Sequence, residues 1–164
     1  MAELSRRTLL SGQWRHPSTA IRPPWSRAEP LFIAGCTRCQ ACVGACETGV
    51  LINGRGGYPE IDFTRAECTF CGHCVAACAA PLFRPQSELP WQLQAQFAAG
   101  CLALQGVECR SCQDSCETQA IRFRPRLGGI AQPSLSVADC NGCGACVLGC
   151  PTGAIDITRS ENNA

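Results

Sequence analysis

Sixteen of the 164 residues are cysteine, and one string of them, C-x2-C-x2-C-x3-C, recurs along the chain. It is intact at Cys36, Cys39, Cys42 and Cys46, and again at Cys68, Cys71, Cys74 and Cys78. A further intact copy lies at Cys140, Cys143, Cys146 and Cys150, where Pro151 follows. Between the last two sits a stretched copy. Cys109, Cys112 and Cys116 keep the usual spacing, but the nearest candidate for the first position is Cys101, eight residues upstream of Cys109. An insertion after the first ligand accounts for it.

Three thiolates converging from one tight loop suit three corners of a cubane [4Fe–4S] cluster, and the fourth iron must be reached from elsewhere. In two-cluster ferredoxins the last cysteine of each string ligates the partner cluster, which ties the two halves together. By that rule Cys36, Cys39 and Cys42 pair with Cys78, and Cys68, Cys71 and Cys74 pair with Cys46. Farther along, Cys101, Cys109 and Cys112 pair with Cys150, and Cys140, Cys143 and Cys146 with Cys116. Four [4Fe–4S] clusters are expected, and at least three. For the stretched string a three-iron cluster, a labile cluster or structural thiols stay open. Zinc in an all-cysteine tetrahedron is the competing structural reading. Such sites pair two separated C-x2-C knuckles, whereas here a third cysteine follows within each loop and the set recurs, which favours clusters.

Few other residues offer chemistry. His73 lies inside an intact string that already has four cysteines, so a solvent-facing or sulfur-tuning role suits it better than ligation. His16 sits in a polar arm. Glu47, Glu108, Asp114 and Glu117, near the cysteines, read as solvated loop charges. With no nucleophile–base pair, no phosphate-cradling glycine loop and no dinucleotide fingerprint, nothing is equipped for substrate chemistry, and the chain is not expected to be an enzyme.

The elements that must position these thiols are short. Val50-Leu51-Ile52 and Tyr58 to Phe63 read as a hairpin across Gly56-Gly57, and Ala120 to Phe123 with Ile130 to Val137 as another across Gly128-Gly129. Val75-Ala76-Ala77 and Val147-Leu148-Gly149, at the ends of strings, can form a helical turn or two, too short to be stable without metal. Strand, cluster loop, short helix and strand, repeated, give an α+β fold of two small ferredoxin-like modules in tandem. The modules are expected at 31–84 and 101–158, joined by a linker at 85–100 whose stretch Trp91 to Ala99 is a helix or a packed strap. A basic N-terminal arm covers 1–30, and 159–164 form a tail. Modules of this size have too much surface to hold together on apolar burial alone, so clusters must staple them.

The compartment decides between metal and disulfides. Ser5-Arg6-Arg7-Thr8-Leu9-Leu10 looks like the start of a twin-arginine signal, but three more arginines and three prolines follow before residue 28, with no apolar stretch or cleavage site. No run is long enough to span a membrane. A cytoplasmic, thiol-reducing home is the expectation, and it argues against disulfides. Formal net charge is +1 and the aromatic fraction is 6%. That balance does not suit a nucleic-acid-binding surface.

Two basic features stand out. Trp14, Ile21 and Trp25, beside arginines in a segment without an evident core of its own, have the character of interface anchors; packing back onto the first module is the alternative. Arg122, Arg124 and Arg126 alternate with Ile121, Phe123 and Pro125 as on one face of a strand. That face reads as solvated, with docking of an acidic partner as the alternative.

Several segments together resemble a known family. They are Ser5-Arg6-Arg7, Trp14-Arg15, Ile21-Arg22-Pro23-Pro24-Trp25-Ser26, Cys36-Thr37-Arg38-Cys39 and Gly56-Gly57-Tyr58-Pro59. With them go Val107-Glu108-Cys109-Arg110-x-Cys112-Gln113-Asp114-Ser115-Cys116 and Cys140-Asn141-Gly142-Cys143-Gly144-Ala145-Cys146. The combination resembles the NapF family, the ferredoxin-type accessory proteins of periplasmic nitrate reductase systems, over nearly the whole chain. One departure is Ala79, where many ferredoxin strings have proline after the last cysteine. The resemblance implies a cytoplasmic protein that binds the catalytic subunit NapA before its export and aids installation of its iron–sulfur centre. The alternative is a generic electron-transfer ferredoxin that serves as electron donor to an oxidoreductase.

Overall fold

A computed structural model describes residues 20–159. Trp14 and the other residues of the arm up to 19, with the last five of the tail, lie outside the described residues.

Described structure begins where the arm meets the first module. The Ile61 amide donates to the carbonyl of Ile21 at 2.8 Å, Arg84 donates to that of Trp25 at 2.7 Å, and Ser26 bridges Phe83 in antiparallel sense. Trp25 is 5% exposed, and its indole Nε1 donates to the Glu88 carbonyl at 2.9 Å. Arg22, 8% exposed, donates to both carboxylate oxygens of Glu29 and to the Pro59 carbonyl, with its guanidinium over the rings of Phe32 and Tyr58. Ile21 and Trp25 are thus intramolecular packing groups rather than free anchors for a partner. An extended chain must pair its own amides and carbonyls, and this one does so with Ile61 and with the 82–90 segment, while burial of Trp25 adds apolar area.

Helix α1 (Glu29–Gly35) follows. Pro30 in its first turn and Glu29 at its N-terminus suit a helix start, and Phe32 plugs its buried face edge-on to Phe83. Next come α2 (Ala41–Gly44), β1 (Leu51–Asn53), β2 (Pro59–Ile61) and α3 (His73–Ala76). Strands β1 and β2 pair antiparallel, Leu51 opposite Ile61. Gly56 and Gly57, at φ of 69° and 80°, turn the chain between them, a conformation that costs glycine little.

The second half holds β3 (Leu93–Phe97), α4 (Ser111–Asp114), β4 (Ile121–Arg126), β5 (Gly129–Leu135), α5 (Ala145–Leu148) and β6 (Ile155–Arg159). β4 pairs with β5, and the register shifts between Arg124 and Arg126. Pro125 lies at that shift, and proline has no amide for the ladder. Both expected hairpins form. A strand stands where Trp91 to Ala99 suggested a helix or strap: β3 pairs antiparallel with β6, Leu93 opposite Arg159 and Phe97 opposite Ile155. Leu93 and Ala95 point inward while Gln94 and Gln96 alternate with them, the period of a strand with one buried face. Five residues between the two expected modules therefore pair with the last strand of the second.

Apolar packing runs on between the halves. Val50, Leu51, Ile61, Phe63, Cys68 and Cys74 share one core with Leu93, and Trp91, Val147 and Ile157 pack against it. Val147 and Ile157 also border a second core around Ala95, Cys112, Ile121, Cys146 and Ile155. Helix α2 packs on α3, and α4 on α5. Among the described residues, no helix is long and apolar enough to cross a membrane.

Candidate metal centres

All sixteen cysteines are unbridged thiols. In each intact string the backbone takes positive φ at the residue before the second cysteine and again at the residue after it. These are Arg38 and Gln40, Phe70 and Gly72, and Gly142 and Gly144. Alternating right- and left-handed residues turn successive amides inward, and such concavities receive anionic groups, iron–sulfur clusters among them. Glycine bears this at no cost; Arg38, Gln40 and Phe70 bear it against their preference. The stretched string lacks the pattern. Arg110 has φ of −132°, and Gly106, at 84°, occupies the place an intact string would give its first cysteine.

The fold brings the sixteen thiols together in four sets. Cys36, Cys39, Cys42 and Cys78 line a cavity of about 270 Å³ with Phe32, Leu82 and Phe83. Cys46, Cys68, Cys71 and Cys74 line a second. In the other half Cys112 has Cys101, Cys109 and Cys150 as electrostatic neighbours. Cys101 and Cys150 also meet in one small core with Ala103 and Ala154. Cys143 faces Cys116 and Cys140, and Cys146 faces all three. Each group takes three thiols from one string and the last from its neighbour, because the paired helices α2 with α3, and α4 with α5, run side by side.

These thiols fit a cationic, sulfur-seeking centre. Burial, and then repulsion from Cys68 and Cys42, pushes the Cys74 thiol up to about 12. Burial followed by Cys143, Cys140 and Cys112 does the same to Cys146, also to about 12. Cys42, Cys68 and Cys112 rise to about 11, each chiefly through burial. Thiols crowded in this way ionise only when a positive centre removes both penalties. A [4Fe–4S] cluster held there would supply one-electron chemistry.

The closing cysteines differ from one another, in a way the strings alone did not reveal. Cys46, Cys116 and Cys150 each have a threonine two residues on, with hydroxyls of Thr48, Thr118 and Thr152 at 3.7, 3.6 and 3.6 Å from sulfur. The Ala154 amide also donates to Cys150 Sγ at 3.2 Å. Burial alone would raise Cys46 and Cys150, but amides and these hydroxyls outweigh it and hold both below the usual thiol range. Cys78 has Ala80 in that place, and its Sγ lies 3.5 Å from the Ala80 carbonyl. The C-x-T signal was there to be read in three of the four strings.

His73 is half exposed, with Nδ1 3.2 Å from Glu47 Oε1. Cys71 lies within reach of the same two groups. Arg122, Arg124 and Arg126 are exposed along β4.

Two family models, each described as a 4Fe-4S dicluster domain, match residues 35–82 and 107–161. Cys101 falls outside both. The ferredoxin-type protein NapF of Escherichia coli K12 is 53% identical over 153 residues, which cover 93% of this chain and 93% of that one. NapF of Haemophilus influenzae is 45% identical over 161 residues, covering 98% and 92%. The methylamine utilization ferredoxin-type protein MauM of Paracoccus denitrificans is 29% identical over 152 residues, covering 82% and 68%. No solved structure matches the chain significantly. Ferredoxin-type proteins carry several [4Fe–4S] clusters as electron carriers or accessory proteins rather than enzymes. Similarity that spans nearly the whole of both chains, with a dicluster model on each half, shows that this chain belongs to the NapF family of ferredoxin-type iron–sulfur proteins.

Proposed function

We propose that this protein is a cytoplasmic polyferredoxin that binds the precursor of NapA and aids installation of its iron–sulfur centre before export. The sixteen cysteines form four ligand sets for four [4Fe–4S] clusters: 36/39/42/78, 46/68/71/74, 101/109/112/150 and 116/140/143/146. NapA as partner follows from the family resemblance. The observation that carries an accessory role is the first set. Cys39 is exposed, as is Cys71 of the second set, but Cys78 lacks the threonine hydroxyl found at the other three closing cysteines. Hydrogen bonds to sulfur and exclusion of solvent hold a cluster's thiolates in place. A surface centre held by fewer such bonds suits donation of electrons or cluster components to a docked protein.

Electron carriage alone is the second reading, and the close packing of the two halves favours it. Capture of NapA separates the two. Immobilised holo-protein should retain cluster-free, pre-export NapA more strongly than finished NapA. Equal capture of both forms, or of neither, would leave electron carriage as the better account.

A further inference from the structure

The contact between the halves falls between two thiolate loops. The Cys68 amide donates to the Cys143 carbonyl at 2.9 Å. Around that bond, the Trp91 indole donates to the Asn141 carbonyl at 2.8 Å, and Trp91 meets Phe63 and Phe70 edge to face at 6.1 and 5.4 Å. The loop of the last string lies so close to its neighbours that a side chain would not fit. A Cβ on Gly144 would collide with the Phe63 ring, and one on Gly142 would lie 2.7 Å from that of Leu93. Both glycines also sit at positive φ, so sterics and backbone together demand the residue found there. Val147, next to Cys146, packs against the cores of both halves.

Within each half the sets are neighbours as well. Helix α2 carries Cys42 and packs on α3, which carries Cys74; α4 carries Cys112 and packs on α5, which carries Cys146. Cys68 and Cys74 belong to one set, and Cys143 and Cys146 to another. The juxtapositions chain together without a branch.

We infer that the Cys68–Cys143 contact joins the two modules so that the four ligand sets form one series, in the order 36/39/42/78, 46/68/71/74, 116/140/143/146, 101/109/112/150. The inference rests on the four-set reading of the cysteines and not on NapA. Clusters held along such a series would pass single electrons from one to the next, with no atom transferred. The inner junction is shielded by Phe63, Phe70 and Trp91. The set containing exposed Cys39 is one terminus, and the stretched string is the other. Two dicluster units that merely shared a linker would have no reason to seat glycines against Phe63 and Leu93.

Two double variants of the full chain test the order. Cys39→Ala with Cys109→Ala removes a ligand from each terminal set; Cys71→Ala with Cys140→Ala removes one from each inner set. Each should lose half the iron and half the acid-labile sulfide of the parent. After reduction, low-temperature electron paramagnetic resonance of the first variant should show signals split and broadened by magnetic coupling between its two remaining centres. The second should show two unsplit signals. Unsplit signals in the first variant, or splitting in the second, would overturn the order. Loss of all iron in both variants would instead strike at the ligand sets beneath it. The parent holo-protein gives an independent reading, since hydrogen exchange in the peptide containing Cys68 should be as slow as in the core strands. Exchange at the rate of an unstructured chain would remove the junction itself.

Discussion

Arg22 and Glu29 are joined by a forked ion pair, Nε and Nη2 of the guanidinium lying 2.9 and 2.7 Å from the two carboxylate oxygens, and it ties the arm to the first turn of α1. Glu60 stands 3.5 Å from the same guanidinium, and the Pro59 carbonyl takes a further bond. One side chain thereby links the arm, α1 and β2, three pieces of a module too small for a conventional core.

Removing Arg22 should be costly. Breaking one side of a buried pair strands the other charge, and the guanidinium here also covers Phe32 and Tyr58. Glu29 keeps some contact with water, so the loss for Arg22→Ala should be about 2–3 kcal/mol rather than the full buried value. Arg22→Lys should recover little, since an ammonium cannot make the fork. Anaerobic thermal unfolding of the holo-protein measures both; an Arg22→Ala variant as stable as the parent would show that the fork is dispensable.

The arm divides at residue 20. Deleting residues 1–19 should leave iron content unchanged, because no cysteine lies there and Ile21, Arg22 and Trp25, which hold the arm to the first module, are all kept. Deleting 1–27 should lower iron by up to two cubes, about eight atoms, since it strips Arg22 and Trp25 from the module. Iron and sulfide analysis of the two truncations decides it. Equal iron in both would mean that Trp25 packs on a module able to load without it.

Much of this architecture was legible beforehand, for physical reasons that differ by element. The hairpins announced themselves through Gly56-Gly57 and Gly128-Gly129, because few other residues turn a chain so tightly. String spacing put three thiols of each set together, and the exchange of the fourth was an expectation from the two-cluster ferredoxin rule, since three cysteines in one loop cannot reach around a cube. Strand β3 was harder to see: Leu93-Gln94-Ala95-Gln96-Phe97 has the right alternation, but glutamine and alanine favour strands weakly, and the pairing partner lies at the far end of the chain. Ile21 and Trp25 resembled interface anchors because the sequence cannot say which surface an apolar group will find. Here it was the chain's own.

Cys101 tests how the stretched string works. The fold places it beside Cys112 and in the same small core as Cys150, although the loop that follows lacks the left-handed pattern of the other strings. Cys101→Ala should remove about four irons, one cube, and leave the signals of the first module untouched. An unchanged iron count would make Cys101 a packing thiol and leave the third site with three protein ligands at most.

Residue 80 is alanine where the other three closing cysteines have threonine two places on. Hydrogen bonds to the sulfurs of a cluster raise its reduction potential by stabilising the added negative charge. Thr48, Thr118 and Thr152 are placed to supply such a bond, and Ala80 is not. Ala80→Thr should therefore raise the potential of the centre held by Cys78, and Thr48→Val should lower that of the centre held by Cys46. A hydroxyl bond of ordinary net strength, about 1 kcal/mol, corresponds to a one-electron shift of about 40 mV. The two substitutions should move different transitions in opposite directions when the protein is titrated and followed by electron paramagnetic resonance. Ala80→Thr should also lengthen the survival of its centre in air, because the donor holds the thiolate in place. Two unchanged potentials would mean that the hydroxyls sit beside sulfur without bonding to it, and that the residue two places after the closing cysteine does not set the first centre apart.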